Sequence, residues 1–328
     1  MHGHTLVYLV TFFDEIGVVG RWRAGDAVDL GEVAAQQHLK PAMVTSAADY
    51  MTAYGYLRRV ADTTYEVTAR GKEILEEWFY ALGAQSYAPL LGNMLPIARG
   101  EKTYGFGKDV NRDLYLNTKA SGGLSGRLVF PAVLEYLEKH RYGCLLDLGC
   151  GDGTFLELAC RGFRDLEVVG LDQSPEVIEI ARAKLAAAGF GARSSFVVGD
   201  LFQPEQFADH PGVKRAQIAT IFYILHEITA AGIEPLLHFL RVWKTAFGSE
   251  KPLMVTEIYR PPRDELESFQ GRGTLEILLY HDLSGQGVMP REQWYAAYET
   301  AGYEIADRIQ FADPRRSHAE TLIVRPRR

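Results

Sequence analysis

Apolar and polar residues repeat in a regular order over residues 131–328. Short, almost wholly apolar runs predict five strands, near residues 143–148, 167–171, 195–198, 216–221 and 253–257. Amphipathic runs predict helices over 131–140, 174–188, 232–246 and 291–301, and an antiparallel pair, 303–311 with 320–324, ends the chain. Apolar strands that alternate with helices are typical of a parallel sheet covered on both faces. We therefore predict an α/β fold with a doubly wound sheet.

The first part of the chain has a different pattern. Helical periodicity predicts helices over 5–20, 29–37, 40–54 and 69–82, the second with Asp29 as its N-cap. Two short alternating runs, 56–60 and 65–68, predict a hairpin. The order helix, helix, hairpin, helix resembles a winged-helix domain, so we predict a mostly helical domain over residues 1–88.

A winged helix has two common uses, DNA binding and subunit contact. A DNA reader would place the helix at 42–54 in the major groove, but that segment contains no lysine or arginine for phosphate contacts. The net charge of −7 also argues against a nucleic-acid surface. We therefore predict a dimerisation domain, a homodimer and no nucleic-acid partner.

Residues 84–127 have the least regular pattern, with seven glycines and several basic residues. A stretch this long without periodicity is usually functional or a linker. Because Tyr104, Phe106 and Tyr115 stand among the basic residues, we predict a lid over the active site. The predicted organisation is then a dimerisation domain (1–88), a lid or linker (89–130) and a catalytic domain (131–328).

The glycine-rich segment after the first predicted strand carries the strongest chemical signal. Asp147 ends the strand, and Gly149, Gly151 and Gly153 follow it. A strand, a tight glycine turn and a helix start bring backbone N–H groups close to a ligand. The pattern D-x-G-x-G-x-G differs from the dinucleotide fingerprint G-x-G-x-x-G, because Thr154 stands in place of the third glycine.

This pattern resembles motif I of class I S-adenosylmethionine (SAM) methyltransferases. The resemblance implies that the glycine turn, with Asp147, packs against the methionine part of SAM. It also implies that Asp172 and Gln173, after the second strand, bind the ribose, and that Asp200 and Leu201, after the third, contact the adenine. We therefore predict SAM as cofactor and methyltransferase activity. An NAD-type or non-binding doubly wound domain is the alternative.

Cysteine usage and hydropathy indicate the compartment. Cys144, Cys150 and Cys160 lie in or beside motif I on apolar segments, which predicts buried free thiols. The N-terminus lacks the basic region of a signal peptide, and no apolar run approaches the length of a membrane span. We expect a cytoplasmic protein without a membrane partner.

The fourth predicted strand runs into His226, which Glu227 follows. In the O-methyltransferase branch of the family, a histidine followed by an acid takes the proton from the substrate hydroxyl at this place. Histidine suits that role because it gains and loses a proton near neutral pH. One interpretation is therefore a small-molecule O-methyltransferase with His226 as general base and Glu257 as the orienting acid.

A second histidine favours a different branch. The dipeptides His226-Glu227 and His281-Asp282 together resemble 2-oxo acid C-methyltransferases of the phenylpyruvate and 2-ketoarginine type. The resemblance implies one divalent or ferric ion, iron or zinc, held by His226 and His281. It also implies catalytic roles for both histidines and Glu227, methylation at C3 of a small 2-oxo acid, and a place in secondary metabolite biosynthesis.

A site for a carboxylate substrate requires a positively charged side chain that binds the carboxylate and other side chains that line the pocket. We predict Arg112 as the first candidate, because a guanidinium holds a carboxylate bidentately, followed by Lys119 and Arg127. Tyr223 is predicted to line the substrate site. Two alternatives to the C-methyltransferase stay open: the O-methyltransferase, and a winged-helix regulator that binds SAM or a metabolite without catalysis.

Overall fold

The computed structural model describes residues 2–105, 107–201, 203–248, 250–268, 274–309, 311 and 319–327. Phe106, predicted to be part of the lid, lies outside these residues. The chain forms two compact units, residues 1–124 and 125–328, called unit 1 and unit 2 below. The division into segments 1–88, 89–130 and 131–328 stays a prediction.

Unit 1 consists mainly of helices. In chain order its elements are α1 (His2–Glu15), α2 (Val18–Ala24), β1 (Val28–Asp29), α3 (Leu30–Gln36), α4 (Pro41–Ala53), β2 (Leu57–Arg59), β3 (Thr64–Val67), α5 (Ala69–Leu75), α6 (Trp78–Ser86), α7 (Ala88–Gly92) and α8 (Met94–Ala98). The strands form an antiparallel sheet in the order β1-β3-β2. The predicted hairpin is thus confirmed, and the winged-helix assignment stays a prediction.

Local chemistry explains where these helices begin. The side chain of Asp29 accepts hydrogen bonds from the N–H groups of Gly31 and Glu32, which confirms it as the N-cap of α3. Buried Phe13 and Trp22 pack in the core of the unit, and the indole of Trp22 donates to the carbonyl of Tyr65 at 3.1 Å. That bond satisfies a polar group that would otherwise be buried without a partner.

The segment with the least regular sequence contains a long helix. Helix α9 (Leu114–Leu128) runs for 15 residues through a stretch with three glycines, and it crosses the boundary between the units. Although residues 84–127 show no clear periodicity in the sequence, α7, α8 and most of α9 lie in this stretch. Packing compensates for the low helix propensity of glycine: a Cβ on Gly123 would meet Cβ of Phe79 at 2.9 Å, so the small residue permits close approach.

Unit 2 alternates strands and helices. Its elements are α10 (Phe130–His140), β4 (Cys144–Leu148), α11 (Thr154–Gly162), β5 (Glu167–Asp172), α12 (Pro175–Ala187), β6 (Ser194–Val198), α13 (Pro211–Arg215), β7 (Ile218–Phe222), α14 (Leu225–Ile228), α15 (Glu234–Phe247), β8 (Leu253–Ile258), α16 (Arg263–Ser268), α17 (Thr274–Ser284), α18 (Arg291–Thr300), β9 (Tyr303–Ile309) and β10 (Ala319–Pro326). All five predicted parallel strands are confirmed.

The seven strands form one sheet in the order β6-β5-β4-β7-β8-β10-β9. Strands β4 to β8 pair in parallel, whereas β10 runs antiparallel to β8 and β9. Every residue of β4 is buried, and its side chains alternate between two cores: Leu146 and Leu148 pack in one, Leu145 in the other. The predicted doubly wound α/β fold is confirmed.

The sheet order determines where a ligand can bind. Strand β4 lies between β5 and β7, so the chain leaves β4 towards one side of the sheet and later returns on the other. In such sheets the crevice beyond the carboxyl ends of the strands at this switch point holds the ligand. Among the described residues, no helix is long and apolar enough to cross a membrane.

Candidate active site

The glycine turn lies at the switch point. Gly149, Gly151 and Gly153 all have positive φ, between 53° and 76°, which L side chains rarely adopt. At Gly149 there is also no space, because a Cβ would lie 1.9 Å from Cδ1 of Ile224. The turn leads directly into α11, an arrangement that brings backbone N–H groups to the crevice, and binding of the methionine part of SAM here stays a prediction.

Asp172 closes the other side of this crevice. Its two carboxylate oxygens accept hydrogen bonds from the N–H of Gly151, at 3.1 Å, and of Ser174, at 3.0 Å. A carboxylate has about four lone-pair sites, so acceptor capacity remains for the two ribose hydroxyls. Burial raises the pKa of Asp172, the backbone N–H groups of Ser174, Gly151 and Gln173 lower it, and the negative charge of Glu227 raises it slightly. The position of Asp172 is compatible with ribose binding, which stays a prediction.

Asp147 lies beneath the turn and is almost wholly buried. Its carboxyl group accepts a hydrogen bond from Thr220 Oγ1 at 2.7 Å, which ties β4 to β7. Burial raises the pKa of Asp147 to about 7, although the Thr220 bond lowers it. The side chain is thus placed to support the turn, and its predicted contact with the cofactor stays a prediction.

The remaining predicted cofactor residues follow β5 and β6. Gln173 is exposed, Asp200 is half-buried, and Leu201 belongs to the core with 8% of its surface exposed. Asp200 accepts a hydrogen bond from Gln203 Nε2 at 3.2 Å. All three lie at the carboxyl edge of the sheet, and their contacts with ribose and adenine stay predictions. The thiols of Cys144, Cys150 and Cys160 are free and buried, as predicted.

His226 is fixed by a buried carboxylate. It lies on α14, directly beyond the carboxyl end of β7, and only 4% of its surface is exposed. Oε2 of Glu257, at the end of β8, lies 2.8 Å from His226 Nδ1, and Oε1 accepts the backbone N–H of Leu225 at 2.6 Å. Because an ionised carboxylate only accepts hydrogen bonds, His226 donates from Nδ1 and keeps its lone pair on Nε2 when neutral.

His281 lies opposite His226. It is carried by α17, is 7% exposed, and its Nδ1 lies 2.5 Å from the carbonyl oxygen of Ile277, which can only accept a hydrogen bond. A neutral His281 therefore also has its lone pair on Nε2. The two Nε2 atoms are 3.1 Å apart and the rings are inclined at 74°. Two lone pairs this close repel each other unless a proton or a metal ion lies between them.

Two residues beside His226 have unusual surroundings. Tyr223 has φ of +56°, a conformation that costs a non-glycine residue roughly 1–3 kcal/mol, and its N–H bonds the carbonyl of Thr256 at 2.8 Å. Such strain is common at functional sites. Glu227 is half-buried and accepts a hydrogen bond from Gln286 Nε2 at 3.2 Å. The substrate role of Tyr223 and the catalytic role of Glu227 stay predictions.

The fold and this geometry can be compared with known proteins. Residues 145–242 match the family model described as a methyltransferase domain. A trans-aconitate 2-methyltransferase of Methylobacterium radiotolerans is 49% identical over 45 residues, 14% of this chain and 17% of that protein. A carboxy-S-adenosyl-L-methionine synthase of Campylobacter curvus is 33% identical over 113 residues, 30% of this chain and 46% of that protein. The chain thus spans less than half the length of these two curated relatives.

Solved structures resemble the whole chain. LaPhzM is 17% identical with a TM-score of 0.70, covering 98% of this chain and 95% of that one. Human N-acetylserotonin methyltransferase in complex with SAM is 16% identical with a TM-score of 0.68, covering 99% and 95%. The mitomycin 7-O-methyltransferase MmcR is 17% identical with a TM-score of 0.64, covering 98% and 94%. At these identities the likeness shows the fold.

Residues 145–242 thus carry a methyltransferase domain, and the whole chain has a fold that SAM-dependent methyltransferases share. This confirms the predicted fold class and supports methyltransferase activity with SAM as cofactor. The acceptor, the metal ion, the dimer and the cytoplasmic location stay predictions. In the described part of the chain, no group of three or more His, Cys, Asp or Glu side chains is placed to hold a metal ion.

The three basic residues that are predicted to bind the substrate carboxylate have different surroundings. In unit 1, the ammonium of Lys119 lies 2.6 Å from Asp14 and 3.1 Å from Glu15, so its charge already has two carboxylate partners. Arg112, also in unit 1, donates to the hydroxyl of Tyr87 at 3.1 Å. Arg127, on the unit 2 part of α9, is exposed. The double pairing argues against Lys119 as the carboxylate site, and the roles of Arg112 and Arg127 stay predictions.

The sequence analysis missed several residues around the histidine pair. Glu257 was assigned only to the O-methyltransferase alternative, although a carboxylate at the end of a buried strand next to β7 is a signal that it faces His226. Gln286, Gly287 and Thr229, which bond the backbone around the two histidines, carried no signal because their contacts join distant parts of the chain.

Proposed function

We propose that the chain is a SAM-dependent C-methyltransferase that methylates C3 of a small 2-oxo acid, with one metal ion held by His226 and His281. The observation that carries the proposal is the pair of facing Nε2 atoms, 3.1 Å apart, in two rings whose Nδ1 atoms already donate elsewhere. Such a pair is a preformed site for a cation.

The surroundings of the two rings favour a metal ion over a shared proton. Histidines that bind metals commonly donate their other N–H to a carboxylate or a backbone carbonyl, and here Glu257 and Ile277 provide one of each. Two nitrogen ligands of one tetrahedral zinc ion, each at about 2.0–2.1 Å from the metal, lie about 3.3 Å apart. The observed separation is close to that value. Imidazole also suits iron.

The site fits the chemistry of a 2-oxo acid. The hydrogens on C3 of such an acid are weakly acidic, and a metal ion, when bound, would stabilise the negative charge that removal of one of them places on the C2 oxygen. Both imidazoles are occupied in this arrangement, so the half-buried carboxylate of Glu227 is our candidate to accept that proton. Glu257 keeps the ring of His226 in one orientation, and burial of both histidines keeps water from the reacting carbon. The glycine turn presents SAM from the neighbouring strand end, and methyl transfer then depends chiefly on positioning.

A second candidate is an O-methyltransferase, and the bond between Glu257 and His226 favours it. In this mechanism Nε2 of His226 takes the proton from a substrate hydroxyl, and the carboxylate of Glu257 stabilises the imidazolium that forms. Nε2 of His281 would then accept the hydrogen bond from the protonated ring. This mechanism needs no metal ion.

Metal analysis of the purified protein separates the two candidates. The proposal predicts about one iron or zinc ion per chain, and loss of methyl transfer after treatment with a chelator and return after addition of the ion. His238→Ala is a matched control, because His238 is 61% exposed and lies on α15, outside the histidine pair. Full activity in metal-free protein would reject the C-methyltransferase proposal and favour the O-methyltransferase.

For unit 1 we propose a dimerisation role. Helix α4 contains no lysine or arginine. The consecutive helices α7 and α8 expose Leu91, Met94 and Leu95, with 38–60% of their surfaces accessible. Exposed apolar residues in a group are typical of protein–protein contacts. Sedimentation analysis should find a dimer, and charge substitutions such as Leu95→Glu should produce a monomer. A wild-type monomer would reject this role.

A further inference from the structure

Two consecutive backbone amides connect the segments that carry the two histidines. The N–H of Gln286 donates to the carbonyl of His281 at 2.9 Å, and the N–H of Gly287 donates to the carbonyl of His226 at 3.2 Å. We call Gln286 and Gly287 the amide clamp. The clamp therefore bonds the main chain of both histidines directly, one with each amide.

Side chains strengthen the clamp. The hydroxyl of Thr229, which is 6% exposed, donates to the carbonyl of Gly287 at 2.6 Å. On the other residue of the clamp, the amide of Gln286 donates to Glu227 Oε1 at 3.2 Å. Gly287 thus bonds His226 and Thr229 through its main chain, and Gln286 bonds α17 through its backbone N–H and α14 through its side chain.

Thr229 leaves no space for a side chain on Gly287 of the amide clamp. A Cβ on Gly287 would lie 2.7 Å from both the carbonyl oxygen and Oγ1 of Thr229. No real Cβ makes contacts this short, and because one of the two atoms belongs to the backbone, a side chain at position 287 must move the main chain. Glycine at 287 is therefore required by the close approach of two backbones.

The two histidines differ in how they are fixed. His226 is bonded to strand β8 through Glu257, so the sheet holds it. The Nδ1 atom of His281 bonds Ile277 within its own helix, which orients the ring on α17 and does not fix α17 relative to α14. The amide clamp supplies that connection.

We propose that Gly287 and Thr229 are positioning residues that set the separation of the Nε2 atoms of His226 and His281. The proposal deepens the proposed function, on which it rests for the assignment of a metal ion to the two rings. Residues that orient metal ligands typically change metal affinity by about 10-fold to 100-fold when they are replaced.

The test uses the full chain with Gly287→Ala, Thr229→Val and Thr229→Ser. Equilibrium dialysis with Zn²⁺ should show an affinity about 10-fold to 100-fold lower in the first two variants and near the wild-type value in Thr229→Ser, which keeps the hydroxyl. Calorimetric SAM affinity should stay within about twofold of wild type. Matched controls are Gly162→Ala, at an exposed glycine with open space, and Thr245→Val, at an exposed threonine on α15.

A crystal structure of Gly287→Ala separates failure of the clamp from failure of the proposed function. An unchanged distance between the two Nε2 atoms, or wild-type Zn²⁺ affinity in both Gly287→Ala and Thr229→Val, would overturn the clamp. If Gly287→Ala does not fold, equal Zn²⁺ affinities of Thr229→Val and Thr229→Ser overturn it instead. If α17 is displaced in the crystal structure of Gly287→Ala but the wild-type protein binds no metal ion, the amide clamp is supported and the proposed metal site is rejected.

Discussion

Nε2 of His281 lies 3.1 Å from Nε2 of His226, although 55 residues separate the two along the chain. Neither ring can rotate away without losing the hydrogen bond of its Nδ1 atom, to Glu257 in one case and to Ile277 in the other. The arrangement therefore concentrates two electron-pair donors at one buried point beside the cofactor crevice of the methyltransferase domain.

Removal of either imidazole should abolish metal binding and turnover. In His226→Ala and His281→Ala, one ligand cannot hold the ion, whereas the glycine turn and Asp172 are untouched, so SAM affinity should stay within about twofold. Elemental analysis measures metal binding, a methyl-transfer assay measures turnover and calorimetry measures SAM affinity, with His238→Ala as the control. Normal turnover in His281→Ala would show that the second histidine has no part in the reaction.

Removal of the charge on Glu257, the carboxylate that bonds His226, should lower metal affinity without abolishing metal binding. In Glu257→Gln the side chain keeps its shape but loses its charge, so it supports the ring less strongly, and we expect kcat and metal affinity to fall by about 10-fold to 100-fold. Steady-state kinetics with parallel metal titration measures both. The control is Glu205→Gln, at an exposed glutamate of unit 2. A fall in kcat with unchanged metal affinity would indicate that Glu257 serves a general base instead.

Asp172 should contribute to SAM affinity. The variant Asp172→Ala removes the carboxylate that has acceptor capacity left for the ribose, so binding should weaken by about 1–3 kcal/mol, the usual value for hydrogen bonds to a charged group. Calorimetric titration with SAM measures the change. Asp209→Ala serves as control, because that side chain is 94% exposed. Unchanged affinity in Asp172→Ala would place the ribose elsewhere.

The buried carboxyl of Asp147 should make stability depend on pH. Its pKa is raised from 3.8 to about 7 in the folded chain, so the unfolded chain releases the proton first as pH rises. The free energy of unfolding should therefore decrease between about pH 4 and pH 7, by up to about 1.4 kcal/mol per pH unit from this group, and level off above pH 7.

Replacement by asparagine isolates that contribution. Asp147→Asn cannot ionise but still accepts the Thr220 bond, so the variant should lose less stability than wild type over the same pH range. Urea unfolding at pH 5 and pH 8 measures the difference, with Asp209→Asn as an exposed control. Parallel pH dependences of wild type and Asp147→Asn would show that Asp147 is ionised throughout.

Much of the fold could be predicted because its signals are local. Apolar runs, the glycine turn at 149–153 and the N-cap Asp29 depend on neighbouring residues, and parallel strands bring their carboxyl ends together, so Asp172 and His226 fall on one edge. Helix α9 escaped prediction, since its glycines lower local propensity and tertiary packing restores it.

The details of the site depend on contacts that local pattern does not encode. The pairing of Lys119 with Asp14 spans 105 residues, and the bond from Thr229 to Gly287 spans 58. The histidine pair was predicted through resemblance to a family, and its hydrogen-bond partners Glu257 and Ile277 determine which nitrogen atoms face each other. With those partners both Nε2 lone pairs are directed at one point, where we propose a cation.

The position of the transferred methyl group tests the central claim most directly. The protein is incubated with SAM carrying a ¹³C-labelled methyl group and a panel of 2-oxo acids with aromatic, guanidino and aliphatic side chains, with and without added Fe²⁺ or Zn²⁺. NMR and mass spectrometry of the products should show a new C–CH₃ group at C3, formed only when the metal is present. A label found on oxygen, or C-methylation that is equally fast in metal-free protein, would contradict the account.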